Sequence, residues 1–176
     1  MTRTFIIANQ KGGVGKTTTA INLATAMAAI GRRVLVVDLD PQGNASTGLG
    51  IPPRGRAHGT YDVLIGASKI SDAIVGTAVP GLDLVPSTVD LAGAELELID
   101  MERREYRLRD AFEASLPDYD YILVDCPPSL NLLTLNALVA AQSVLVPLQC
   151  EFFALEGLSL LLRTIERIRA AYNEDL

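Results

Sequence analysis

The chain has 176 residues, 15 Lys and Arg against 21 Asp and Glu, and 49% hydrophobic residues with only 5% aromatics. A net charge of -6 with a mean hydropathy of +0.27 excludes intrinsic disorder and a surface that is basic all over, as a nucleic-acid coat requires. The length suits one globular domain able to bury a sizeable core. No repeat, low-complexity tract or heptad run interrupts it. The apolar start, Phe5-Ile6-Ile7-Ala8, is too short for a signal peptide before Asn9-Gln10-Lys11 ends it. The most apolar stretch, 132–148, is broken by Thr134, Asn136, Gln142, Ser143 and Pro147, so it reads as a buried helix and a buried strand instead of a membrane span. Two cysteines, Cys126 and Cys150, without a secretory signal predict reduced thiols and a cytoplasmic protein.

Along the chain, short β-branched runs alternate with helical patterns. A strand is predicted over 4–8, then an Ala-rich helix over 17–30 with Gly31 as its C-terminal cap. The run Val34-Leu35-Val36-Val37-Asp38 predicts a fully buried strand. Residues 39–56, rich in Gly and Pro, predict a loop with one helical turn. Short helices are predicted over 61–65 and 70–74, a strand over 82–86, and one or two helices within 91–114. Strands over 121–125 and 143–148 enclose a helix over 132–141, and a long amphipathic helix covers 155–172. Such alternation defines an α/β fold: a three-layer sandwich with a mostly parallel twisted sheet and helices on both faces. Ligands of such sheets bind outside the carboxyl ends of the strands, which directs attention to the residues after Ala8, Asp38, Asp125 and Leu148.

After the first strand comes Lys11-Gly12-Gly13-Val14-Gly15-Lys16-Thr17-Thr18. A Gly-rich turn between strand and helix aims backbone N–H groups at phosphate oxygens, and the helix dipole adds to the attraction. Lys16 is placed to reach the β- and γ-phosphates, and the Thr17 hydroxyl to complete a Mg²⁺ shell. The ordinary phosphate loop has a glycine where Gln10 stands. A second cation, Lys11, sits at the mouth, where a positive helix end disfavours lysine unless it neutralises phosphate.

The second strand ends in Asp38-Leu39-Asp40-Pro41, two carboxylates at i and i+2 that share one side of extended chain. A carboxylate near Mg²⁺ and the γ-phosphate orients the attacking water in phosphoryl transfer, although the same tetrapeptide also serves as a plain turn. Tyr121-Ile122-Leu123-Val124-Asp125 is an apolar strand ending in an acid. Asp125 is placed to hold Mg²⁺ through a water, and an acid there also serves as a helix cap.

These motifs, in this order, resemble the deviant Walker A phosphate-loop ATPases of the ParA/MinD superfamily, and specifically the ParA/Soj-type chromosome or plasmid partitioning ATPases. The resemblance covers residues 4–172. It implies that Lys11 is the signature lysine, reaching across a nucleotide-sandwich dimer to the partner's phosphates. It matches Asp40 to the water-activating aspartate, Asp38 to its supporting neighbour, and Asp125 to the Walker B acid. Cys126-Pro127-Pro128-Ser129 matches the switch II segment, in which Pro127 and Pro128 stiffen a lever that responds to loss of the γ-phosphate. Gln42-Gly43-Asn44-Ala45-Ser46 resembles the ParA branch and does not resemble the MinD branch, and 147–157 resembles the ParA pattern after the fifth strand. What the resemblance implies is an ATP-driven homodimer using Mg²⁺, slow alone and stimulated by a ParB-like centromere-binding protein. The dimer would bind DNA without sequence preference on a nucleoid in a bacterial or archaeal cytoplasm, with no membrane attachment. Because the family fold is longer by about a third, the expectation is a single phosphate-loop domain over 1–176 that lacks its C-terminal portion and part of its DNA-binding surface.

Two other readings compete: a MinD-like ATPase acting on a membrane surface, and a nucleotide-binding fragment without catalysis. The acidic ending Asn173-Glu174-Asp175-Leu176 does not form the basic amphipathic helix the former requires. Cys126 and Cys150 have poor cluster spacing, so Cys126 is read as a small buried residue, and His58 as solvated. Arg103, Arg104, Arg107 and Arg109 are balanced by Glu102, Glu105, Asp110 and Glu113 into an ion-paired face. Arg163, Arg167 and Arg169 are the candidate basic patch for DNA phosphates. No residue declares how adenine is held.

Overall fold

The computed structural model describes residues 2–149 and 152–176. Six strands form one sheet among them: β1 (Arg3–Ile7), β2 (Val34–Asp38), β3 (Val75–Gly76), β4 (Leu82–Val85), β5 (Tyr121–Asp125) and β6 (Ser143–Leu145), in the spatial order β3-β4-β2-β5-β1-β6. All neighbours run parallel except the edge pair β3 and β4. The helices are α1 (Lys16–Ala29), α2 (Asn44–Gly48), α3 (Thr60–Ile65), α4 (Ile70–Ala73), α5 (Leu91–Leu98), α6 (Arg107–Ser115), α7 (Leu132–Ala140) and α8 (Phe152–Ala171).

Strand alternation sends neighbouring side chains to opposite faces of the sheet. On β2, Val34 and Val36 join Ile7, Leu84 and Leu123 in a core under α1 and α2. Leu35 and Val37 join Ile6, Ile122 and Val124 in a second core that receives residues of α3 to α7. Every residue of β2 is buried, as a parallel strand covered on both faces must be. Helix α1 meets its core with Ala20, Ala24 and Ala28, an i, i+4 stripe of small side chains that brings its axis close to the sheet. It stops at Gly31, whose φ of 81° suits the left-handed turn there, and the Arg32 amide donates back to the Met27 carbonyl.

Chain direction diverges at β1. The crossover through α1 passes β5 to reach β2, whereas the crossover through α7 carries β5 past β1 to β6 on the other side. The crevice opened by that divergence lies at the carboxyl ends of β1, β2 and β5. Strands β2 and β5 match their predicted bounds. The predicted first strand is displaced by one residue, and 143–148 yields only a three-residue strand because the chain leaves the sheet before Pro147. Strand β3 was not predicted; two residues carry no readable alternation. Residues 91–114 contain two helices, and 39–56 holds α2 plus a 3-10 turn at Pro53–Gly55. Helix α8 begins at Phe152, three residues before the predicted start. Among the described residues, no helix is long and apolar enough to cross a membrane.

Candidate functional site

Loop residues 9–15 join β1 to α1 through two left-handed glycines, Gly13 at φ 73° and Gly15 at φ 90°. Side chains rarely adopt that region, so both turns call for glycine. Gly15 caps α1 without a side-chain acceptor, and no acid lies in the first turn, which leaves helix N–H groups available to an anion. Asn9 anchors the loop at its base: its Nδ2 donates to the Pro147 carbonyl (2.8 Å), and its Oδ1 accepts from the Lys11 amide (3.0 Å). Gln149 Nε2 reaches the Gly13 carbonyl at 3.4 Å, so the chain after β6 supports the far side of the loop.

A cavity of about 380 Å³ opens over this loop, lined by Gly12, Gly13, Gly15, Lys16, Thr17, Thr18, Asp40, Gln42, Asn44 and Pro128. Of the predicted site residues, Val14 is buried beneath the loop, while Lys11 is exposed at its mouth. Lys16 is only 7% exposed, and its Nζ donates to the Lys11 carbonyl at 2.9 Å. Burial lowers its pKa, and the carboxylates of Asp125 and Asp40 oppose that shift. Lys16, Asp40 and Asp125, on three different elements, therefore meet at one place. Pro127 is buried, and Pro128 is exposed and reaches the cavity wall.

The three carboxylates differ in what they touch. Asp38 is fully buried. Its Oδ2 accepts from the Ser46 amide (2.8 Å) and the Ser46 hydroxyl (2.6 Å), and its Oδ1 accepts from the Asp40 amide (3.3 Å). Burial raises its pKa, and the Ser46 hydrogen bonds pull it back down. Asp38 and Asp40 were expected to share one side; instead Asp38 turns to Ser46, whose two donors face it, and only Asp40 lines the cavity. Asp40 Oδ1 accepts from the Gln42 amide at 2.9 Å, which fixes the turn that follows. Asp125 is fully buried as well, yet neither of its oxygens has a hydrogen bond of ordinary geometry. Burial pushes its pKa up to about 7, and the nearby Thr17 hydroxyl offsets part of the rise. A buried carboxylate without partners costs stability unless something at the site completes it. Oxygen donors on Thr17 and Asp125, one of them orphaned, are the hard ligands that Mg²⁺ takes.

Several contributors had no local signal. Ser46, Ser87, Thr60 and Arg56 hold the loop after β2 through contacts across 8 to 41 residues of sequence. Asn9 and Gln149 act likewise across 136 or more. Cys126 is buried as expected, Cys150 lies outside the described residues, and His58 is exposed. The arginine face is paired: Arg103 to Asp110, Arg104 to Glu105 and Arg109 to Glu113, while Arg107 donates to the Leu64 carbonyl instead. Among the described residues, no group of His, Cys, Asp and Glu forms a metal cluster. Arg163, Arg167 and Arg169 are exposed.

A parallel sheet diverging at β1, a glycine loop opening a helix, and acids closing two adjacent strands define the phosphate-loop NTPase class. The profile of a family described as an AAA domain matches residues 2–176. A chromosome partitioning protein ParA of Caulobacter vibrioides is 61% identical over 99% of this chain and 66% of its own length. The sporulation initiation inhibitor protein Soj of Bacillus subtilis is 53% identical over 100% of this chain and 70% of its own. Thus the chain spans about two thirds of the length of these relatives. A crystal structure described as cobyrinic acid a,c-diamide synthase from Mycobacterium smegmatis, with bound ADP and magnesium, has a TM-score of 0.95 and 47% identity. That likeness covers 100% of this chain and 71% of that one. The chain belongs to the AAA-domain family and, within it, to the ParA/Soj-type partitioning ATPases.

Proposed function

We propose that the protein is an ATP-hydrolysing switch for DNA partitioning, with ATP and Mg²⁺ bound over the 11–18 loop. The observation that carries this reading is the orphaned, buried Asp125 carboxylate beside Thr17, next to a cavity lined by Thr17, Lys16 and Asp40. Loop amides 12–18 and the N-terminus of α1 would bind the phosphates. Thr17 directly, and Asp125 through a water, would hold Mg²⁺, which when bound neutralises charge on the β- and γ-phosphate oxygens. Asp40 would orient a water in line with the γ-phosphorus, whose bond to the bridging oxygen breaks as the new P–O bond forms. Lys16 would stabilise the charge that develops, and Lys11 of a second copy would add its cation in trans. Such a dimer would bind and release DNA as ATP is bound and spent, with Arg163, Arg167 and Arg169 contributing phosphate contacts and a ParB-like protein stimulating turnover. Partitioning names among the relatives support this reading.

ATP turnover measured with and without DNA and a ParB-like protein tests it. Turnover that rises with both, and is lost in Lys16→Ala and Asp40→Ala, is the expected result. Turnover in those variants equal to that of the unmutated protein overturns it. The description of the Mycobacterium structure favours a second reading, an ATP-using amide synthase. Turnover that depends on cobyrinic acid and ignores DNA would select that one.

A further inference from the structure

The loop that carries Asp40 is held from outside by one side chain, Arg56. Its Nε donates to the Ile51 carbonyl (3.1 Å), and its Nη1 to the Ser87 carbonyl (2.9 Å). Its Nη2 donates to Thr47 Oγ1 (2.8 Å), the Ile51 carbonyl (2.8 Å) and, more weakly, the Gly43 carbonyl (3.4 Å). All these acceptors are uncharged, so the guanidinium serves here as a rigid fork of donors, a task for which lysine lacks the geometry. The fork lies flat on Gly43: a Cβ there would come within 2.5 Å of Arg56 Nη1 and 3.3 Å of the Ser87 carbonyl. Gly43 is also left-handed, at φ 62°, and its amide donates to the Asp40 carbonyl at 2.9 Å. From beneath, the Ser46 hydroxyl accepts from the Ser87 amide at 3.0 Å while it donates to Asp38. The turn 40–43 is therefore gripped on two sides and tied to the chain leaving β4.

We propose that Arg56 is a positioning residue for Asp40: it clamps the Gly43 turn to Ser87 and so fixes where the Asp40 carboxylate stands over the phosphate loop. The proposal rests on the reading of Asp40 as the group that orients the attacking water. Arg56 does not line the cavity, and its hydrogen bonds go to Gly43, Thr47, Ile51 and Ser87 and not to the loop 11–18, so its removal should act on turnover more than on nucleotide binding. Misplacement of a reacting group by about 1 Å costs up to about 100-fold in rate, so a loosened turn should cost at least about ten-fold.

The test compares the unmutated protein with Arg56→Ala, Arg56→Lys and Gly43→Ala, measuring kcat, the affinity for a non-hydrolysable ATP analogue, and the melting temperature. Arg56→Ala is expected to lose at least about ten-fold in kcat with analogue affinity kept. Millimolar guanidinium chloride, against matched sodium chloride, should restore part of the loss, and Arg56→Lys should restore little. Gly43→Ala displaces the fork from its seat and should show the same kcat-selective loss with Arg56 intact. Unchanged kcat in Arg56→Ala overturns the proposal. So does a parallel fall in kcat, analogue affinity and melting temperature without guanidinium rescue, which marks a merely structural arginine. An unmutated protein that binds the analogue but never turns over ATP overturns the reading of Asp40 and this proposal with it; turnover that is normal in the unmutated protein and in Arg56→Ala overturns this proposal alone.

Discussion

Asp38 and Asp125 end adjacent parallel strands as register partners, and both are fully buried. Their surroundings nevertheless differ completely. The Asp38 carboxylate accepts two hydrogen bonds from Ser46 and one from the Asp40 amide, so the protein itself satisfies it. Asp125 accepts none of ordinary geometry, and burial lifts its pKa to about 7. Acids at the same depth and in the same register thus do opposite work. One braces the loop that carries Asp40, and the other is left unsatisfied beside the phosphate loop. Burial alone does not separate the two acids; the donors each carboxylate finds do.

The broadest consequence concerns pH. The Asp125 carboxyl titrates near 7 when folded, against 3.8 for an ordinary aspartate, so the folded chain holds more protons than the unfolded one between those values. Stability in the absence of metal should therefore fall as pH rises from about 4 to about 7, by up to about 4 kcal/mol. Urea unfolding in EDTA across that range measures it. Asp125→Asn should remove most of the slope and leave a remainder from Asp38, whose pKa moves the same way. A slope untouched by Asp125→Asn would contradict the contrast.

Next in size is the pair of amide substitutions at pH 7. Asp38→Asn turns an amide donor toward donors that Asp38 now accepts, and should cost about 3 kcal/mol. In Asp125→Asn the buried charge is lost, and stability should rise, by up to the about 4 kcal/mol that the charge costs at pH 7. Equal losses in the two variants would erase the distinction between brace and ligand. A smaller effect tests the brace from its other end: Ser46→Ala removes one donor from Asp38 and leaves the Ser87 amide without its acceptor, for about 2 kcal/mol. Chemical denaturation with an unchanged m-value would confirm that the change lies in stability.

How much of this was legible in the sequence follows from how local each feature is. Strands β2 and β5 could be read to the residue because each is an unbroken apolar run closed by an acid. The glycine loop was legible because its two left-handed turns demand glycine at fixed offsets. Strand β3 was not, since two residues pair only because β4 is beside them. Asp38 and Asp40 looked equivalent on alternation alone. What separates them is Ser46, eight residues from Asp38, together with Ser87 and Arg56, which meet the loop only in the folded chain. Asn9 and Gln149 were missed for the same reason, since each bonds the chain leaving the neighbouring strand, β6 for Asn9 and β1 for Gln149, far away in sequence.

The central claim is that Asp125 waits for a cation that arrives with nucleotide. Thermal melting of the unmutated protein and of Asp125→Asn, each with ATP in EDTA and with ATP and Mg²⁺, tests it most directly. A ligand at about 100 times its Kd stabilises by about 2.7 kcal/mol, enough to separate the curves. The expected result is a rise with ATP alone in both proteins and a further rise with Mg²⁺ that Asp125→Asn loses. The same Mg²⁺ increment in both proteins would contradict it.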